Sequence, residues 1–253
     1  MNFLKKCVCV VMTLAMASSV ALTSYAATPA ANTTSTSAST TAKKTVAPTK
    51  VTLNKTSATL VKGKTLTLKA TLTPSNASTK FTWSSSDKSV ATVDSNGKVK
   101  AVKKGTATIT VKTSNNKKAT CKITVITQNE ALENEVIKLV NAERTKRGLS
   151  KLTTNSKMAS ASDKRAKEIY TKFSHTRPNG KAWDTVFAEY GIKKGYAGEN
   201  IAYNYSSVAK DVVNMWMNSK GHRDNILNPK FKTIGVGLYV KDGRYNWVQL
   251  FNS

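Results

Sequence analysis

The chain holds two histidines in 253 residues, His175 in Phe173-Ser174-His175 and His222 in Gly221-His222-Arg223, and between them Glu199 in Gly198-Glu199-Asn200. Two neutral imidazoles are zinc donors, so His175 and His222 are candidate metal ligands, with Glu199 as third ligand or as general base toward bound water. Without metal, a carboxylate beside an imidazole still supports proton transfer, because it raises the imidazole pKa. No nucleophile is marked: Ser174 and Ser219 neighbour the histidines in sequence, but neither lies in a recognisable elbow. The intervals are far longer than those of a helical metal motif such as H-E-x-x-H. On spacing alone, local roles are therefore preferred over a shared His-Glu-His pocket. His222 follows a glycine at an expected helix end and can offer its ring to the last carbonyls. His175 can fix the turn into Arg177-Pro178-Asn179-Gly180, and Glu199 can accept backbone N–H groups or pair with Arg223.

The elements that must position these residues follow Thr127. In "ALENEVIKLVNAERTKRG", Leu132, Val136, Leu139 and Val140 recur at helical spacing, and Gly148 supplies a stop. A second helix is expected from about Ser156 to Phe173, with Met158, Ala161, Ala166, Ile169 and Tyr170 inward. A short third helix covers Trp183 to Tyr190. A fourth covers roughly Ser207 to Ser219, with Val208, Val212, Met215 and Trp216 facing in. The tail "TIGVGLYVKDGRYNWVQLFN" reads as a hairpin turning at Asp242-Gly243. Helices with a late antiparallel hairpin make residues 127–253 an α+β layered domain. The three polar landmarks are expected at helix ends or in glycine-containing connections, where a rigid scaffold usually carries functional groups.

Upstream, the chain changes character three times. Residues 1–26 have two lysines, an apolar middle and a small-residue ending at Ser24-Tyr25-Ala26, the form of a secretory signal peptide cut after Ala26. Residues 27–47 are Ala, Ser and Thr with little to bury, a spacer. Residues 48–126 alternate in seven short runs separated by turns such as Ser95-Asn96-Gly97, which indicates an all-β sandwich. Its core is expected to hold Trp83, Val90, Val93, Val99, Ile109 and Val111. Export removes Cys7 and Cys9 with the leader and leaves Cys121 with no internal partner, expected as a small buried hydrophobe.

Charge divides the same way. Residues 48–126 carry fifteen lysines and no arginine against Asp87 and Asp94, a balance of +13, while residues 127–253 carry 21 basic and 12 acidic residues. Lysine without arginine disfavours bidentate recognition of bases and phosphates and favours diffuse attraction to a polyanion. An anionic cell-wall polymer or a membrane surface is the expected partner, and nucleic acid is not; a solvated, soluble surface is the competing reading. A secreted chain without a covalent anchor, held at the surface by charge, is expected.

Two resemblances add to this. Leu53, Leu60, Gly63, Pro74, Trp83-Ser84-Ser85, "SVATVDSNGKV" and Gly105-Thr106-Ala107 closely resemble the bacterial immunoglobulin-like domain of group 2, which implies a non-catalytic module for display, spacing or adhesion. "VNAER", Gly148-Leu149, "FSH", "AGENIA", "WMNSKGHRDNIL", "IGVG" and Trp247-Val248-Gln249 resemble, in order, the CAP superfamily of cysteine-rich secretory, antigen 5 and pathogenesis-related proteins, in its bacterial, disulfide-free branch. That resemblance implies a three-layer α-β-α sandwich with a cleft bearing two histidines and two acids. It carries over onto His175, Glu199 and His222. The second acid departs from the family: Ser219 stands in its place, and nothing in the sequence establishes Asp224 as a substitute. Three functions follow in order of preference. The first is binding of a wall component, lipid or peptide in the cleft. The second is metal-assisted hydrolysis of peptide or wall substrate by His175, Glu199 and His222. The third is a structural envelope or spore-coat role.

Overall fold

The computed structural model describes residues 45–253. The expected leader over 1–26 and nearly all of the spacer over 27–47 lie outside the described residues. Nine strands come first: β1 Lys50–Leu53, β2 Ser57–Val61, β3 Thr65–Thr67, β4 Ala70–Thr73, β5 Phe81–Ser85, β6 Ala91–Val93, β7 Lys98–Ala101, β8 Gly105–Thr113 and β9 Lys118–Ile126. One layer is the sheet β2-β9-β8-β5; opposite it lie β3-β7-β6 and the pair β1-β4. Strict alternation on β8 and β9 sends Ala107, Ile109, Val111, Cys121, Ile123 and Val125 inward. They meet Leu68, Val90 and Val99 from the facing layer, with Trp83 and Val93 half-buried at the edge of the core. Burial pushes the Cys121 thiol up, as its place among these side chains demands.

The sequence pattern undercounts these strands in two places. "TLTLKATL" reads as one run, yet β3 pairs with β7 and β4 with β1. The chain changes sheet at Leu68-Lys69, where the Lys69 N–H donates to Asn54 Oδ1 at 2.9 Å. β2 lacks a clean alternation and goes unread; its register comes from parallel pairing with β9.

The second region opens on α1 Gln128–Thr145, started by a reciprocal capping box in which the Glu130 N–H donates to Thr127 Oγ1 and the Thr127 N–H to Glu130 Oε2. α2 Ser156–Thr171 follows, capped by Asn155, then a 3₁₀ turn at Trp183–Thr185 running into α3 Val186–Glu189. Next come β10 Ala197–Asn204, α4 Ala209–Asn218, α5 Lys220–Ile226, β11 Thr233–Lys241 and β12 Arg244–Asn252. The three strands form one antiparallel sheet in the order β10-β12-β11. The β11–β12 hairpin turns through Asp242 (φ 51°) and Gly243 (φ 74°), both left-handed, as its Asp-Gly sequence requires.

Helices cover both faces of this sheet. On one, α1, α4 and α5 contribute Val136, Val140, Val212, Trp216 and Ile226 against Ile234, Val236, Trp247 and Phe251. On the other, α2 and α3 place Met158, Ala161, Ile169 and Phe187 on Ile201, Val248 and Leu250. Gly235 and Gly237 admit α2: a Cβ at either would stand 2.3 Å or less from its backbone. The fold is thus an all-β sandwich followed by a three-layer α-β-α sandwich.

The fourth helix departs from its expected form. It starts at Ala209, so Val208 is its exposed N-cap, and Met215 faces outward. Gly221 does not stop it. The break falls at Ser219, extended at φ −96° and ψ 123°, and Gly221 lies inside α5.

Candidate functional site

The "GEN" landmark is not a connection; it is the body of β10. Residues on a strand alternate between faces, so Glu199 points to the α2 side and Asn200 to the α5 side, and each meets a different polar system. Burial on both faces is what erased the alternation that marks a strand.

On the α2 side, the Glu199 side chain is fully buried. Arg165 of α2, equally buried, donates from Nε to Glu199 Oε1 at 2.8 Å. His175 Nδ1 lies 2.6 Å from Glu199 Oε2. A carboxylate already paired with a guanidinium accepts from the ring, so the hydrogen sits on Nδ1, and in the neutral ring Nε2 is the bare nitrogen. His175 itself is 58% exposed. Arg165 also donates to the Ser174 carbonyl at 3.0 Å, fixing the loop beside the histidine, and to Glu168 at 2.8 Å. The chain of pairs continues. Glu168 takes Arg177 through two N–H donors, and Arg177, 1% exposed, reaches Glu189 at 2.7 Å, which in turn holds Lys164. The guanidiniums of Arg177 and Arg165 hold the Glu168 carboxyl below the usual carboxylate range, against the pull of burial. Glu189 is pulled down to about 2 by Arg177 and Lys164.

On the α5 side, Asn200 Nδ2 donates to the His222 carbonyl at 3.0 Å and to Gln249 Oε1 at 2.9 Å, while Asn225 donates to Asn200 Oδ1. Gly198, two residues earlier on that face, leaves room for Phe231 and Asn225. Arg144 of "VNAER" is buried against the end of α5 and donates to the carbonyls of Ile226 and Asn228 at 2.7 and 2.9 Å, a cation at a helix C-terminus. The segment bearing His222 is thereby pinned from both ends.

His222 is half-buried and lines a cleft of about 420 Å³ with Phe173, Ile201, Tyr203, Met215, Trp216 and Ser219. Burial lowers its pKa, and a proton on His175 would lower it further, so the ring is neutral at pH 7. Two of the lining rings, Phe173 and Tyr203, meet edge to face at 5.1 Å, and the Arg244 guanidinium lies 4.2 Å over the Tyr203 ring. The buried indole N–H of Trp216 has no partner among the described residues.

Several local roles resolve differently from expectation. Glu199 pairs with Arg165 and not with Arg223, which instead donates to the Met217 carbonyl at 2.8 Å and ends α4. The residue next to His222 performs the capping expected of His222. Asp224 is turned to solvent on Lys220 and does not line the cleft, whereas Ser219 does. The donors do not fit a closed zinc site: both Glu199 oxygens are engaged, Nδ1 of His175 is taken, and among the described residues no three His, Cys, Asp or Glu side chains stand around one point. Arg165, Glu168 and Arg177 escaped the sequence reading. The signal was present, since Arg165 sits on the apolar stripe of α2 between Ala161 and Ile169.

A β-sandwich followed by an α-β-α sandwich with these motifs defines a two-domain class of protein. Residues 47–123 match the bacterial Ig-like domain, group 2, and residues 137–251 match CAP, the cysteine-rich secretory protein family. The chain therefore carries a group 2 Ig-like domain followed by a CAP domain. It is 41% identical over 124 residues to the uncharacterized protein YkwD of Bacillus subtilis (strain 168), covering 48% of this chain and 47% of that one. It is 54% identical over 71 residues to the kappa-carrageenase of Pseudoalteromonas carrageenovora, covering 28% of this chain and 18% of the enzyme. The chain thus spans less than half the length of either relative. Among solved structures it is similar to an extracellular protein containing a SCP domain from Bacillus anthracis str. Ames, at 28% identity and a TM-score of 0.45 over 49% of this chain and 41% of that chain.

Proposed function

We propose that this is an exported, surface-associated binding protein. Its CAP domain holds a wall component, lipid or peptide in the cleft beside His175 and His222, and its lysine-rich Ig-like domain keeps it at an anionic surface. The observation that carries the reading is the orientation of His175. Arg165 holds Glu199 and Glu199 holds Nδ1, so the ring is fixed in orientation while 58% of its side chain stays exposed, two residues from Phe173 of the cleft wall. His222, kept neutral, adds a second polar contact, and the aromatic lining suits an amphiphilic ligand.

Binding is preferred over hydrolysis on the chemistry of the same groups. Glu199 is enclosed by its two partners and has no oxygen free to activate water. Ser174 Oγ accepts the Thr176 N–H at 3.0 Å, and no histidine or carboxylate is bonded to it among the described residues as a base would be. Zinc would have to rely on the two imidazoles with ligands from outside the chain.

The test is calorimetric titration of the full chain with solubilised wall fragments, beside Ser219→Trp and His222→Ala. Ser219 makes no side-chain capping bond, so the tryptophan fills the cleft without removing one. Saturable binding weakened at least tenfold by both substitutions supports the reading. Binding unchanged by Ser219→Trp rejects the cleft, and fragments shortened in a His222-dependent way replace binding with hydrolysis.

A further inference from the structure

We propose that the outer face of the sheet β2-β9-β8-β5 docks a linear polyol phosphate polymer, its phosphates on Lys112, Lys118 and Lys122 and its hydroxyls on the threonines and serines between them. This rests on the polyanion reading of the Ig-like domain and narrows it from the whole domain to one face. The inward positions of β8 and β9 are apolar, and every outward position from Thr106 to Lys112 and from Lys118 to Thr124 is threonine or lysine. The flanking strands continue the pattern in register, with Thr82 and Ser84 on β5 and Ser57 and Thr59 on β2. The result is an array of hydroxyls with three ammonium groups.

Two features oppose a merely solvating role. Lys112 stands directly across from Lys118. Like charges directly opposite on neighbouring strands work against the fold, and no carboxylate stands on the face to relieve them. The domain's two acids are used elsewhere: Asp87 accepts from the Ser89 N–H, and Asp94 from those of Asn96 and Lys98. Of the fifteen lysines in residues 48–126, Lys104 alone makes an ion pair among the described residues, and its partner Glu130 belongs to α1. Lys118 and Lys122 lie about 13 Å apart along β9, with Thr120 between them, a cation–hydroxyl–cation line along the strand.

The same face argues against other polyanions. It has no arginine for bidentate phosphate or base contacts and no aromatic ring on which bases could stack, as nucleic acid requires. It has no tryptophan, phenylalanine or leucine to enter a bilayer interface.

The experiment measures binding of the full chain to poly(glycerol phosphate) across a salt series. One variant is the face triple K112Q/K118Q/K122Q, and the other is K62Q/K98Q/K100Q, which removes equal charge elsewhere on the domain. Thermal unfolding matched to the parent chain removes folding from the comparison. The face triple is expected to weaken binding about tenfold at low salt and to flatten the log–log salt slope by about 2, with less than a threefold effect in the other triple. Equal losses in both overturn the face assignment and leave the polyanion reading standing. A parent chain without salt-sensitive binding overturns both. Tighter binding to single-stranded DNA or to phosphatidylglycerol vesicles overturns the occupant.

Discussion

The two domains handle charge in opposite ways. In the CAP domain the strongest cations face inward: Arg165 and Arg177 are buried in a continuous run of pairs from His175 to Lys164, and Arg144 is spent on carbonyls at the end of α5. In the Ig-like domain nearly all lysines face water with no carboxylate beside them. A buried charge is tolerable only when paired and hydrogen-bonded, and its geometry is then fixed. An exposed unpaired lysine fixes nothing in the fold and keeps its full attraction for an external anion. The first arrangement suits a site that must hold a shape. The second suits a surface that must hold a partner.

The largest expected break in this comparison is Arg165→Met. It leaves the Glu199 carboxyl buried with half its partners gone, a loss of about 3–5 kcal/mol, read as a lower urea midpoint. Lys112→Gln, the matching removal in the Ig-like domain, is expected to change stability by less than about 0.5 kcal/mol. Equal effects would erase the distinction.

A second difference lies in carboxyl groups. Glu133 of α1 is buried, beside Asp163 of α2, and accepts the Leu238 N–H at 3.0 Å. Burial first, and the Asp163 charge second, push Glu133 from 4.5 up to about 8, and burial also raises Asp163. The folded chain therefore holds more protons than the unfolded chain between these values, and stability falls as pH rises from about 4.5 to about 8. Glu133→Gln keeps the acceptor without the charge. It is expected to flatten that slope and to gain on the order of 1–2 kcal/mol at pH 9, measured by unfolding across pH. An unchanged slope would remove the pair from the account. A small gain is expected from Lys118→Glu, which replaces a cross-strand repulsion by an attraction to Lys112. It should stabilise the Ig-like domain by about 0.2–1 kcal/mol while weakening retention on a polyanion.

The same division governs what could be read from sequence. Where apolar residues alone set the pattern, the elements were legible: the alternation of β8 and β9, the stripe of α2, and the Asp-Gly hairpin. Where polar residues are buried, periodicity failed. β10 carries Glu199 and Asn200 inward on opposite faces, so it resembled a loop. Motif resemblance could bring His175, Glu199 and His222 together, yet Arg165, which holds them in order, belongs to none of the quoted motifs. Its one trace was a charged residue on an apolar helical face. The break at Ser219 was hidden for another reason, since an extended serine followed at once by a second helix leaves no stop signal beyond the glycine that misled.

The most direct measurement is the ¹⁵N spectrum of the His175 ring in the full chain, followed while solubilised wall fragments are added. The expected result, at a pH where the ring is neutral, is a hydrogen on Nδ1 and none on Nε2, with the Nε2 signal alone shifting as the fragments bind. A ring protonated at Nε2 and indifferent to the fragments would contradict both the Arg165–Glu199–His175 arrangement and the binding cleft built upon it.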